Sequence, residues 1–341
     1  MTVIFAADAT ASPYHMKVLI TGSAGHLGEG LARTLTATHT AFNGIDILPS
    51  AFTTHVGAIT DPALVRQCMQ GVTTVYHTAT LHKPHVATHP QQAFIDTNIS
   101  GTLLLLQEAV AAGVSQFIFT STTSVFGDAL VPPPGAPAAW ITEEVTPAPK
   151  NIYGVTKAAA EDLCQLYHRN YGLPCLVLRT SRFFPEADDQ QHMRDAYADD
   201  NAKVNEYLFR RVDIEDAVSA HLVAATRAGD IGFGKYIISA TTPFSAADLS
   251  LLRSNAPEAV KQYVPGYEAL YIARGWRMFA DIDRVYVNER ARRELGWLPK
   301  YDFATMLQRL QEGQGVKSPL AEQIGMKGYH AETFAEGPYP V

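Results

Sequence analysis

Eight consecutive residues restrict the fold more than any others. Thr21-Gly22-Ser23-Ala24-Gly25-His26-Leu27-Gly28 lies between a short β-branched apolar run at 17–21 and an amphipathic stretch at 27–38. In a strand-turn-helix unit, Gly22 permits the tight turn, Gly25 lets an anionic group approach the backbone, and Gly28 allows the helix to pack closely on the strand. The helix start then offers free N–H groups and a positive dipole end. Glycine-rich turns of this kind also arise for steric reasons alone, so the surroundings decide. The same alternation continues, with strands expected at 42–47, 72–77 and 116–120 and helices at 61–70 and 94–112. In the last helix Ile95, Ile99, Leu103, Leu106 and Val110 recur at helical spacing. This pattern predicts an α/β fold: a doubly wound, Rossmann-type parallel sheet with helices on both faces.

Residues 129–150 break the rhythm with Pro132, Pro133, Pro134, Pro137, Pro147 and Pro149, which suits a surface loop. A helix resumes at 153–171, a strand at 175–178 and a helix at 214–226, after which the elements shorten. With 341 residues there is room for two domains. The expected division is a dinucleotide-binding domain at 16–180, rejoined by part of 212–240, and a smaller C-terminal substrate lobe from 181–211 and 241–313. Residues 1–15 read as a leader ending in a His15-Met16 junction, and 314–341 as a polar tail. Apolar residues make up 47% and charged residues 18%, which argues against disorder; 27 basic against 34 acidic residues, with no basic block, disfavour nucleic acid. Cys68, Cys164 and Cys175 lack CxxC spacing, which suggests neither a zinc site nor a disulfide framework and suits the reducing cytoplasm. No run is long and apolar enough for a membrane span.

Three further groups carry chemistry. Asp46 stands 18 residues after Gly28 at the end of the second strand, where a carboxylate accepts both hydroxyls of an adenosine ribose and repels a 2′-phosphate. NAD is therefore expected over NADP, although a solvated turn aspartate is the plain alternative. Tyr153 and Lys157, four apart, share a helical face, and an ammonium near a phenol favours the phenolate; taken alone, such a pair is a common solvated helix face. Thr120 to Gly127 brings hydroxyls past the fourth strand, into the crevice or onto their own backbone. His77, His82, His85 and His89 have no neighbouring Cys or paired carboxylates; they read as a polar loop over the site, with no metal expected. Trp140 and Trp297 read as packing.

With these groups in place, the chain resembles the extended short-chain dehydrogenase/reductase family, the NAD-dependent epimerase/dehydratase group, over roughly residues 17–303. The resemblance rests on Thr21 to Gly28, Asn98-x-x-Gly101-Thr102, Tyr153 with Lys157, Arg179, and Glu294-Leu295-Gly296-Trp297-x-Pro299. It implies that Thr122 hydrogen-bonds the reacting oxygen, Tyr153 is the base, and Lys157 holds the nicotinamide ribose and lowers the Tyr153 pKa. Gly22, Gly25, His26, Leu27, Gly28, Asp46, Ala58, Ile59, Ala79, Thr80 and Asn98 would complete the cofactor site. Position 58 is usually Asp in the family; Ala58 removes an adenine hydrogen bond.

Other departures narrow the chemistry. Family dehydratases carry an Asp-Glu pair after the catalytic Thr, and decarboxylases a Glu two residues after it, whereas Thr123 and Ser124 stand here. That leaves epimerisation at a carbinol of a sugar or nucleotide sugar, or oxidation and reduction of a smaller hydroxy or keto substrate. A non-catalytic NAD sensor is the alternative of another class. His82, Ser124, Arg182 and Arg211 are the expected substrate contacts: Arg182 replaces a family Asn, and Arg210-Arg211 suits a carboxylate or phosphate. A small-molecule substrate and a homodimer are the expected partners.

Overall fold

The computed structural model describes residues 17–328; the expected leader and the last thirteen residues of the expected tail, 329–341, lie outside the described residues. Seven strands form one parallel sheet in the order β3-β2-β1-β4-β5-β7-β8. They are β1 (Val18–Thr21), β2 (Phe42–Asp46), β3 (His55–Val56), β4 (Thr74–His77), β5 (Gln116–Thr122), β7 (Cys175–Thr180) and β8 (Phe233–Ile238). A separate parallel pair joins β6 (Ala139–Ile141) to β9 (Arg284–Tyr286).

Strand β1 lies between β2 and β4, with Thr21 in register with both Ile45 and His77. The chain runs outward from β1 to β3 and then crosses back to β4, so the strand order reverses there. A crevice opens at the carboxyl ends of such strands, where parallel α/β sheets bind ligands.

Both faces of the sheet are covered, which is why its strands are apolar on consecutive positions. Ile20, Tyr76, Ile118 and Leu178 face the helix α1 (His26–Ala37) and the helix Ile214–Ile231; Leu19, Val75, Phe117, Phe119 and Val177 face helices on the opposite side. Those include α2 (Pro62–Cys68) and the helices Gly101–Ala111 and Ile152–Tyr171. The smaller lobe has its own core of Tyr207, Leu252, Val260, Tyr271, Phe303 and Met306. It is tied to the helix Ile214–Ile231 by Asp216, whose two carboxylate oxygens accept the backbone N–H groups of Lys300 and Tyr301. Trp297 is packing, as expected: it is buried, and its indole donates to Ser219.

The structure adds to the sequence reading in several places, the largest being β8, a six-residue strand of the central sheet in the stretch expected only to rejoin that domain. The expected tail is not all loose chain: Pro319–Ile324 is a helix whose Leu320 and Ile324 pack over Gly30 of α1. Apolar residues four apart give even this short polar stretch one face to bury. Strands β3, β6 and β9 have two or three residues each, too few for alternation to reveal them.

One buried ion pair locks β5, β7 and the helix Ile152–Tyr171 together. Glu161 accepts from Ser121 at 2.6 Å and from Arg179 Nη2 at 2.8 Å, while Arg179 Nη1 reaches the Glu143 carbonyl. Burial alone would push the Glu161 carboxyl up, but the Arg179 hydrogen bonds outweigh it and hold the pKa below the usual range. Glu161→Ala strands the Arg179 charge in the interior, so chemical denaturation should show a loss of about 3–5 kcal/mol.

Candidate active site

A cleft of about 670 Å³ runs across the carboxyl ends of the sheet, from Asp46 at one end to Arg284 and Tyr286 at the other. Its near end is the β1–α1 turn. A Cβ on Gly28 would sit 1.9 Å from the Gly22 carbonyl oxygen, so only glycine lets α1 start this close to the strand. Gly22 has φ of 73°, and a Cβ there would meet the Ala79 backbone at 2.8 Å. Gly25 differs: its added Cβ would touch only the Gly22 carbonyl, at 3.2 Å, and the residue lines the cleft. Asp46 accepts Ala24 N–H and Leu48 N–H, both at 2.9 Å, which fixes its carboxylate beside the turn. His26, Leu27, Ala58, Ile59, Ala79 and Thr80 line the same cleft.

Asn98 sits behind the wall. It is buried, accepts from Thr80 and from Leu81 N–H, and donates to Thr156 on the helix that carries Tyr153. Its side chain positions the cleft wall rather than facing the cleft.

Thr122 and Tyr153, the residues expected to act on the substrate, lie on the same cleft. Thr122 ends β5 and Tyr153 opens the helix Ile152–Tyr171, where Asn151 caps the helix by accepting Gly154 N–H at 3.1 Å. The Thr122 hydroxyl lies beside the Tyr153 phenol, and both residues line the cleft with Ser124. Burial pushes the Tyr153 phenol up to about 12, with the Thr122 hydrogen bond pulling the other way. The expectation that Lys157 lowers this pKa is therefore corrected for the protein alone: desolvation wins. Lys157 is only 2% exposed, its ammonium lies 4.0 Å from the centre of the Phe119 ring, and burial pushes it down to about 7.

Of the expected substrate contacts, His82, Ser124 and Arg182 line the cleft. The His82 ring lies 6.1 Å from that of Tyr153 and 5.7 Å from that of Phe184, and burial, then the charges of His85 and Lys157, push its pKa down to about 3. Arg211 is buried instead, donating to Glu206 at 2.9 Å and to the Phe184 carbonyl; its neighbour Arg210 reaches the cleft. The hydrogen bonds to Glu206 and the Phe184 carbonyl turn the Arg211 guanidinium away from the cleft. His77 is a core histidine held between Thr21 and Thr102, both at 2.8 Å. Among the described residues no group of three His, Cys, Asp or Glu side chains is placed to hold a metal ion, and no helix is long and apolar enough to cross a membrane.

Sequence reasoning missed Arg284, Tyr286, Lys327 and Gly328, which also line the cleft. They come from segments 100 residues or more away from the catalytic helix, and no local motif marks them.

The sequence profile of the NAD dependent epimerase/dehydratase family matches residues 18–236. The chain belongs to that family. Its cofactor is NAD, and the glycine cradle with Asp46 fixed beside it suits the dinucleotide. This family member is 26% identical over 315 residues to the low-salt glycan biosynthesis protein Agl12 of Haloferax volcanii, an alignment covering 84% of this chain and 95% of that protein. It is 23% identical to a 3 beta-hydroxysteroid dehydrogenase/Delta 5-->4-isomerase of Mycobacterium tuberculosis, covering 96% and 97%. A third relative, the uncharacterized protein y4nG of Sinorhizobium fredii, is 32% identical over 171 residues, and the match spans only 47% of this chain and 39% of that one. Among solved structures, a short-chain dehydrogenase/reductase superfamily protein from Agrobacterium tumefaciens with bound NAD shares the fold at a TM-score of 0.61 and 21% identity, covering 90% and 99% of the two chains. A UDP-glucuronic acid 4-epimerase from Bacillus cereus does so at 0.60 and 21%, covering 86% and 97%.

Two outcomes are expected. Gly25→Val should fold normally and bind NAD roughly a hundredfold more weakly by isothermal titration, whereas Gly28→Ala should lose ~3 kcal/mol of stability or fail to fold. Lys157 has a pKa of about 7 in the folded chain against 10.5 as the reference. The unfolded state then binds more protons between those values, and its stability penalty is greatest below pH 7 and fades as pH rises. Lys157→Met should accordingly raise the melting temperature at pH 6, by up to about 4 kcal/mol in stability, with the gain shrinking toward pH 10.

Proposed function

We propose that this protein is an NAD-dependent epimerase that oxidises a carbinol of a sugar or nucleotide sugar to a ketone and reduces it again from the other face. Thr122 and Tyr153, whose hydroxyls are brought together in the cleft that the glycine turn opens, carry this reading. NAD supplies the hydride acceptor and, on its nicotinamide ring, the positive charge that favours a Tyr153 phenolate. The chain's own residues do the rest. Tyr153 Oη takes the hydroxyl proton and later returns one, while Thr122 Oγ1 hydrogen-bonds the reacting oxygen. Lys157, held against Phe119, anchors the cofactor ribose. His82, kept neutral by burial, is able both to donate and to accept beside the substrate.

Charge at the far end supports an acidic group on the substrate. Four cations, Lys83, Arg182, Arg210 and Arg211, share three carboxylates, Asp188, Asp189 and Glu206, and Arg284 adds a fifth cation paired with Asp283 at 2.9 Å. A diphosphate or a carboxylate fits that surplus. Thr123 and Ser124 provide no second acid for elimination or decarboxylation.

One observation favours a second reading. Arg182 and Arg210, which line the far end, are already engaged by Asp188 and Glu206, which leaves less of that wall free for a large nucleotide and suits a dehydrogenase of a smaller hydroxy acid. Incubation with NAD and a panel of nucleotide sugars and sugar acids separates the two: an epimer seen by NMR without NADH accumulation supports the first, and stoichiometric NADH the second. Tyr153→Phe should abolish turnover yet keep NAD binding, and Thr122→Val should lower kcat by roughly 10²–10⁴-fold. Near-normal rates in Tyr153→Phe would refute the assignment of the base under either reading.

A further inference from the structure

The chain segment after the helix Pro319–Ile324 crosses the start of α1. Lys327 and Gly328 line the same cleft as Gly25 and His26. Their backbone N–H groups both donate to Glu186 Oε1, at 3.0 and 3.2 Å, and the same oxygen lies 2.9 Å from His26 Nε2. The Lys327 ammonium meets Glu29 Oε2 at 2.5 Å, and Glu29 Oε1 is held by Arg33 at 2.7 Å. Glu29 is in the first turn of α1, so the segment is pinned to the helix end that faces the cofactor phosphates.

The charges make this more than a packing contact. Two buried carboxylates, Glu29 and Glu186, stand where a dinucleotide brings a doubly negative pyrophosphate. Arg33 is the one other full cation paired with them among the described residues, since His26 carries a charge only when protonated. Without the Lys327 ammonium, the start of α1 would hold more negative than positive charge and would repel the phosphates that its N–H groups attract. With it, the two carboxylates are balanced, and the backbone at 327–328 forms a wall beside the glycine turn.

We infer that residues 325–328 are a strap belonging to the cofactor site, in which Lys327 neutralises the carboxylates at the α1 start and, with Gly328, retains bound NAD. The inference depends on NAD lying at the glycine turn and is independent of the substrate. It accords with the epimerase reading, since an enzyme that regenerates its oxidised cofactor within each cycle has no need to release it.

The test is the dissociation rate of NADH from the full-length protein, followed by loss of bound-NADH fluorescence on mixing with excess NAD, with no substrate present. Lys327→Ala should speed dissociation about tenfold, the loss expected for one charge-assisted contact, and Lys327→Arg should stay near the native rate. Gly328 has φ of 68°, which proline cannot adopt, so adding Gly328→Pro to Lys327→Ala displaces the strap and should be at least as fast. Thermal unfolding of each variant establishes that it is folded; if the double variant is not, Lys327→Ala decides alone. A rate within twofold of native in folded Lys327→Ala would overturn the inference, including the case in which only the melting temperature falls. Because no substrate is used, failure of the epimerase reading would leave this result unaffected.

Discussion

Gly28 lies so close to the Gly22 carbonyl oxygen that a single added carbon would overlap it. That approach sets where α1 begins, and much of the cleft follows from it. The helix start is brought to the mouth of the central strand, Ala24 comes within hydrogen-bond reach of Asp46, and Glu29 is placed at the edge of the cleft. The register then carries across the sheet, with Thr21 level with His77 and His77 with Phe119, and β5 runs three residues further to bring Thr122 to the cleft. A sheet fixed at one turn therefore positions hydroxyls, carboxylate and phenol at distances no loop could hold.

Electrostatics in this site runs against the simplest reading of its residues. Four-residue spacing places Tyr153 and Lys157 on one helical face, which suggests mutual stabilisation of phenolate and ammonium. Burial moves each toward its neutral form instead, the phenol to about 12 and the ammonium to about 7. The protein alone thus holds its base in the protonated state, and the Lys157 charge is costly to keep. Such a pair is stability given up for chemistry, the usual relation between a buried ionisable group and an active site.

Legibility in the sequence followed the range of the contacts involved. The glycine turn and Asp46 are readable because each sits at a fixed offset from a strand end; Tyr153 shows through its four-residue spacing to Lys157, and Thr122 through the resemblance to the family. Nothing local shows that Arg210 rather than Arg211 faces the cleft, because Arg211 is held away by Glu206 and the Phe184 carbonyl. Asn98 belongs to a motif, yet its partners Leu81 and Thr156 show that the motif's work is to hold the wall. Glu186, Arg284 and Lys327 had no signal at all: their partners are set by tertiary folding, and strands as short as β3, β6 and β9 leave no period to detect.

The contact between Lys327 and Glu29 spans 298 residues of sequence. During synthesis the glycine turn leaves the ribosome well before the segment that closes over it. Loop closure over so long a chain is entropically slow compared with the local βα units, so those units form first and the final contact waits for them. At the usual ~5–20 residues per second, that interval lasts from about fifteen seconds to a minute. Throughout it the half-built site is open on the side of α1, and a dinucleotide is able to enter before residues 325–328 arrive to cover it.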